Sequence, residues 1–228
     1  MPVFKLTDEL VFPHPKLAED GLLAVGGDLR PERLLLAYSN GIFPWPEDEE
    51  SPLLWASPDV RLVLVPQNLH VSKRLQRMIR QNKFSITFDA QFPEVIKRCA
   101  QVPRPGQYGT WITRDMIQAY IRLHELGFAH SVESYYAGEL VGGIYGISLG
   151  GAFFGESMFY VMPNASRVAL YHLVQRLQHW EFDFLDAQVR TAHMLQWGAH
   201  EITREEYLHL LKRSLQKSTR RGNWSEMS

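Results

Sequence analysis

Cysteine is almost missing from this chain of 228 residues. Cys99 stands alone, so no intrachain disulfide can form and a reducing compartment fits best. Long apolar runs are missing too, and no stretch approaches the length of a membrane span. The opening residues, Met1 to Glu9, hold no basic segment followed by an apolar one, so no signal peptide is expected. The nine histidines include no His-Glu-x-x-His pattern and none pairs with the lone cysteine, so no metal is expected. Repeats and low-complexity segments are absent. Net charge is also nearly absent, at −1, but it is unevenly spread. Lys73, Arg74, Arg77, Arg80 and Lys83 fall within residues 70–84 without one acid, leaving −6 on the remainder. A basic patch on a mildly acidic protein points to a polyanion.

What is present is an ordinary globular composition, 45% hydrophobic and 21% charged, long enough for one full core and a small second module. Residues 1–60 are rich in proline and glycine and read as a small N-terminal domain with one short helix. Pro31 suits that helix's start and Asn40-Gly41 its stop. A boundary is expected near residues 58–61, with the main domain over 61–228. There the pattern predicts a strand at 61–65, a helix at 72–82 capped by Ser72, a strand at 84–88 and a helix at 92–100. A loop through Pro103 and Gly106 leads to a helix at 113–126. A meander at 130–136, 139–148 and 151–159 follows, its first turn at Ala137-Gly138. Then come a helix from Asn164 to about His179, a strand at 184–188 and a last helix opened by the capping box Thr203-x-x-Glu206. The polar stretch 217–228 is expected to be a flexible, frayed tail. The order is mixed α/β.

Two strands carry polar groups where a core is expected. Glu156 lies within the aromatic run from Phe153 to Phe159, and Asp186 and Gln188, two apart in the strand at 184–188, project together from one face. Burying a carboxylate without a partner is costly, so these strands hold either a site or a well-paired structural network. Glu156 satisfied by backbone donors, and Asp186 capping the next helix, are the structural alternatives. On the basic helix, Leu75, Met78 and Ile79 share one face while Lys73, Arg77 and Arg80 take the other. That cationic face is either simply solvated or a phosphate contact. Trp45, Trp55 and Trp111 sit beside proline or glycine, where they either pack or stack on bases. The glycines of 142–146 lack the spacing of a nucleotide loop and suit close approach of another backbone or a ligand.

With these residues in view, the chain resembles the leucyl/phenylalanyl-tRNA–protein transferases. The matching stretches are Gly21-Leu-Leu-Ala-Val-Gly-Gly-Asp-Leu29, Gly41-Ile-Phe-Pro-Trp45, Gly109-Thr-Trp-Ile-Thr113 and residues 119–127. Ala129-His-Ser-Val-Glu133, Leu140-Val-Gly-Gly143, Gly155-Glu-Ser-Met-Phe159 and Asp186-Ala-Gln188 complete the set. Ala56 stands where the family often has a second tryptophan, and Ile144 where a methionine is familiar. The resemblance implies a small N-terminal domain plus a domain related to the N-acetyltransferases (GNAT-like). It implies transfer of leucine or phenylalanine, less often methionine, from aminoacyl-tRNA to proteins beginning with arginine or lysine, marking them for N-end-rule degradation in the bacterial cytoplasm. By the same resemblance Trp45 and Trp111 stack on the terminal adenosine. Ile144, Phe153 and Met158 receive the aminoacyl side chain, and Glu156 binds the basic acceptor or orients an amine. Asp186 and Gln188 handle the attacking amine, Gln188 orienting it and Asp186 fixing and polarising the amide. Lys73, Arg74, Arg77, Arg80 and Lys83 contact tRNA phosphates. No cofactor is required, no membrane is involved, and a monomer is expected.

Two other classes compete. An acyl-CoA-dependent N-acetyltransferase should carry a glycine-rich diphosphate loop after the meander, but residues 160–165 contain no glycine. A non-enzymatic RNA-binding module explains the basic helix and the tryptophans, but not Glu156, Asp186 and Gln188 near an apolar pocket.

Overall fold

The computed structural model describes residues 3–102 and 111–227. The loop through Pro103 and Gly106, and Gly109 and Thr110 of the matching stretches, lie outside them. The N-terminal segment, expected to hold one helix, also builds a four-stranded sheet. Its strands are β1 (Phe4–Leu6), β2 (Leu22–Gly26), β3 (Phe43–Pro44) and β4 (Leu54–Ala56), in the order β1-β2-β4-β3. Such short strands have no room for a legible period-2 pattern, and only α1 (Pro31–Ser39) shows in the sequence. Gly41 adopts φ 73° at its end, and built with a Cβ it would meet Tyr207 and Leu208 at 2.9 Å.

The main sheet has seven strands in the order β11-β5-β10-β9-β8-β7-β6. They are β5 (Val60–Leu64), β6 (Ser85–Phe88), β7 (Ala129–Tyr136), β8 (Glu139–Leu149), β9 (Ala152–Tyr160), β10 (Phe184–Asp186) and β11 (His200–Thr203). The expected meander is β7-β8-β9, its turn at Ala137 and Gly138, both at positive φ. All pairs are antiparallel except β9 with β10. A parallel neighbour needs a crossover, and α5 (Ala165–His179) supplies it. α5 packs on one face with Leu170, Leu173, Val174 and Leu177 buried. On the other face lie α3 (Phe92–Ala100), α4 (Arg114–Glu125) and α7 (Arg204–Ser214). Leu34, Tyr38 and Trp55 of the N-terminal segment join the core there, with Tyr145, Phe154 and Tyr207.

Local chemistry explains the ends. Ser72 caps α2 (Lys73–Arg80) by accepting from Leu75 N, and the capping box at Thr203 and Glu206 opens α7. Asn164 sits at the N-cap of α5, but in the left-handed region at φ 72°, and its side chain makes no cap bond. Gly142 lets the start of α5 approach, since a Cβ there would lie 2.6 Å from that of Ala165.

The expected frayed tail is instead docked. Trp224 is fully buried, stacks on His130 at 3.8 Å between centroids and packs beside Phe153, Trp180 and Phe182. Its backbone N–H donates to buried Asp89 at 2.7 Å. The indole shares the anchoring with Gly222 N–H to Gly127 O, Arg221 Nε to Leu126 O and Gly150 N–H to Thr219 Oγ1, which together hold a segment whose composition is otherwise polar.

Candidate active site

β9 and β10 run parallel only from Ala152 to Phe154, opposite Phe184 to Asp186, and then separate. A β-bulge marks the place: Ser157 faces Tyr145 and Gly155 faces Gly146, leaving Glu156 as the extra residue. The bulge has a second effect. Residues 153 and 158 differ in parity, yet Phe153 opposes Ser148 and Met158 opposes Ile144, so both lie on the α5 face.

Glu156 therefore sits in the opening between the two strands. Tyr38 OH donates to its Oε1 at 2.7 Å, Tyr120 OH to its Oε2 at 3.2 Å, and the Gln188 side-chain amide to Oε1 at 2.8 Å. The two phenol oxygens also contact each other, so two phenol protons serve three contacts, and the third is filled when Glu156 itself carries a proton. Burial raises the Glu156 pKa to about 7, with the nearby Asp186 carboxylate adding to it against the three donors. Burial and the Glu156 charge hold both tyrosines well above the ordinary phenol range, so they stay protonated donors. The donors are side chains, not the backbone groups of the structural alternative.

Asp186 is fully buried and makes a two-point pair with Arg61, Nη2 to Oδ2 at 2.7 Å and Nε to Oδ1 at 3.1 Å. Tyr207 OH donates to Oδ2 at 2.7 Å, and Arg61 also donates to Gly41 O while lying over the rings of Phe43 and Tyr207. Burial is the largest influence on the Arg61 pKa and lowers it, but the Asp186 carboxylate, together with Tyr207 and Tyr38, turns the net shift upward. The two charges neutralise each other. Asp186 caps no helix, since the cap of α6 (Ala192–Gln196) is Thr191.

The expected shared face of Asp186 and Gln188 is corrected here. β10 ends at Asp186 and Gln188 turns to φ 60°, so strand alternation no longer applies. Asp186 accepts the backbone N–H of Gln188 at 2.7 Å and not its side-chain amide, which goes to Glu156. Asp186 thus fixes the turn that aims Gln188.

A cavity of ≈ 730 Å³ opens at the same gap, walled by Ile144, Met158, Leu170, Leu185 and Met194, with Glu156 its single carboxylate among the described lining residues. Ile144 and Met158 take the expected places. Phe153 is on the right face but buried beside Trp224, in the same core cluster as Ile144, Leu170 and Leu185, and absent from the cavity's described walls. Trp45, 37% exposed, borders a separate hollow with Asp20, Glu47, Asp59 and Val189. Trp111 is half-buried and packs against the core, and Trp55 is core outright, its Nε1–H bonded to Gly26 O. The basic side chains of α2 and Lys83 are exposed, with Leu75 buried and Met78 and Ile79 half-buried beneath.

Sequence reasoning missed Arg61, Tyr38, Tyr120 and Tyr207. Arg61 had a signal: it is a lone charge in an otherwise apolar strand, a natural partner for a buried Asp186. The tyrosines had none, since hydroxyls on helix core positions look like packing.

The sequence profile described as "Leucyl/phenylalanyl-tRNA protein transferase" matches residues 63–212, and that of its N-terminal domain residues 27–59. Relatives named leucyl/phenylalanyl-tRNA–protein transferase include those of Anaeromyxobacter sp. (strain Fw109-5) and Myxococcus xanthus (strain DK1622). The first is 56% identical, covering 98% of this chain and 95% of its own. The second is 52% identical, covering 99% and 97%. A solved structure of FemX superposes with a TM-score of 0.48 at 9% identity, over 80% of this chain and 71% of its own.

Proposed function

The chain belongs to the leucyl/phenylalanyl-tRNA–protein transferase family, and on that premise we propose how its residues move the aminoacyl group. As an aminoacyltransferase of that family it uses an aminoacyl-tRNA and a protein as its two substrates. The donor is an already activated ester, so the protein must mainly place an amine against it and take up a proton.

The observation that carries the assignment is Glu156 in the wall of the apolar cavity, held by the side-chain amide of Gln188. The leucyl or phenylalanyl side chain lies against Ile144 and Met158, an apolar wall that discriminates weakly among similar groups. The acceptor's α-amine attacks the ester carbonyl, the new amide C–N bond forms, and the C–O bond to the terminal ribose breaks. Glu156, with a pKa near neutrality, accepts the ammonium proton and returns it to the leaving ribose oxygen. Gln188, a poor base, orients the amine. Asp186 is a positioning residue, its charge balanced by Arg61. Trp45 and Trp111 serve the terminal adenosine, and the α2 cations serve tRNA phosphate. Acceptors begin with arginine or lysine, whose charge suits the carboxylates around Trp45 and Glu156. The protein works as a cofactor-free monomer in the bacterial cytosol, and its products enter N-end-rule degradation.

Kinship with the N-acetyltransferases is proposed from the meander, the α5 crossover and the parasol-like opening of the parallel pair β9 and β10. Incubation with charged leucyl-tRNA and an Arg-initiated peptide, beside an acetyl-CoA control, separates the readings. Only aminoacyl transfer yields a Leu-extended peptide.

A further inference from the structure

Two hollows meet at the start of α5. The second, of ≈ 480 Å³, lies between α2 and the turn before α5, and it shares Pro163, Asn164 and Arg167 with the aminoacyl cavity. Its charged described walls are Arg74, Arg77 and Arg167, with no carboxylate. Arg167 stands outside the basic helix, and it is the one arginine among the described residues that borders both hollows. It is half-buried, and its guanidinium donates to a neutral acceptor, Gln196 Oε1, at 2.9 Å.

A half-buried guanidinium beside other cations gains from an arriving anion, and a planar fork fits phosphate oxygens. A single strand ending with its ester at Glu156 and its duplex side at α2 must cross the ground between the hollows. On the transferase reading above, we infer that Arg167 binds a phosphodiester of the tRNA 3′ strand, linking the basic helix to the aminoacyl cavity. This extends the phosphate contacts from one helix to a path through Arg77, Arg74 and Arg167.

The test compares two donors carrying the same phenylalanyl ester: the trinucleotide cytidylyl-cytidylyl-adenosine, with phosphodiesters, and adenosine, with none. The quantity read is the ratio of their kcat/KM values with an Arg-initiated peptide. Arg167→Gln keeps a polar side chain for Gln196 and should lower that ratio about tenfold, the scale of one charge-assisted hydrogen bond. Arg167→Lys, which retains the charge, should lower it less. A melt of each variant confirms the fold, and the ratio is internal to one preparation, so a general loss of active protein cancels. An unchanged ratio in both variants overturns the inference while leaving transfer itself intact. If coenzyme A competes with the wild-type protein but not with Arg167→Gln, and the ratio is unchanged, the cation serves a diphosphate ligand and the inference is wrong. A wild-type protein that transfers from neither donor, nor from Phe-tRNA run alongside, sinks the transferase reading, and the inference with it.

Discussion

Gln188 reaches across the opening between β9 and β10 to donate its side-chain amide to Glu156 at 2.8 Å, the strands having ceased to pair two residues earlier. The bond leaves the amide's carbonyl free to accept from an incoming amine. Gln188→Ala should lower kcat by about ten- to a hundredfold with little change in tRNA affinity, the scale of one polar contact strongest in the transition state. Single-turnover rates beside a tRNA-binding isotherm check this, and equal losses in both would assign Gln188 to binding.

Asp186 and Arg61 form a fully buried pair, so removing one charge strands the other. Asp186→Asn should destabilise the protein by about 3 kcal/mol and impair transfer, because Arg61 is left uncompensated beside the turn that aims Gln188. Denaturant unfolding and steady-state kinetics measure both effects. A stable, fully active variant would leave the Arg61 pair without consequence.

Ile144 and Met158 face each other across β8 and β9 at the cavity wall. Met158→Ala or Ile144→Met should shift the ratio of leucine to phenylalanine transfer more than the affinity for uncharged tRNA. Competition between the two charged tRNAs reads the ratio. If neither ratio nor rate moves, these side chains are core.

The exposed cations of α2 predict a salt effect. Replacing Lys73, Arg77 and Arg80 together by alanine should weaken charged-tRNA binding and reduce the slope of log K against log salt by about 2. Binding isotherms across a salt series test it, an unaltered slope with the fold intact assigning the face to solvent.

The order of elements from β5 to β10, and α7 after it, was legible because caps and turns punctuate it, as at Ser72, Ala137-Gly138 and Thr203, whereas the short α6 and β11 were not legible. The N-terminal sheet was not, since its short strands are set among prolines and glycines that read as loop. Glu156 and Asp186 stood out as acids among aromatics, and that contrast is a local property. What each acid does was not local: the bulge at Glu156 and the positive φ at Gln188 depend on how β9 leaves β10, and Tyr38, Tyr120 and Arg61 arrive from distant elements. Trp224 defeated the composition argument for the same reason. One large side chain finds its pocket only in three dimensions.

Glu156 as the group that takes the proton is the claim most open to direct trial. Its raised pKa means that the folded protein holds this proton more tightly than the unfolded chain does. The raised pKa therefore weakens the fold progressively as pH climbs from the ordinary carboxylate value of 4.5 to about 7. Catalysis has the opposite sign, because only the ionised form can accept. The decisive measurement is the single-turnover rate of phenylalanyl transfer from Phe-tRNA to an Arg-initiated peptide as a function of pH, in the wild type and in Glu156→Gln. Besides the acceptor α-amine's own titration at about 7.7–8.0, common to both proteins, the wild-type rate should show an inflection at about 7, and the variant should lose that one along with about a hundredfold or more in rate. A variant that keeps both the inflection and the rate would contradict the account.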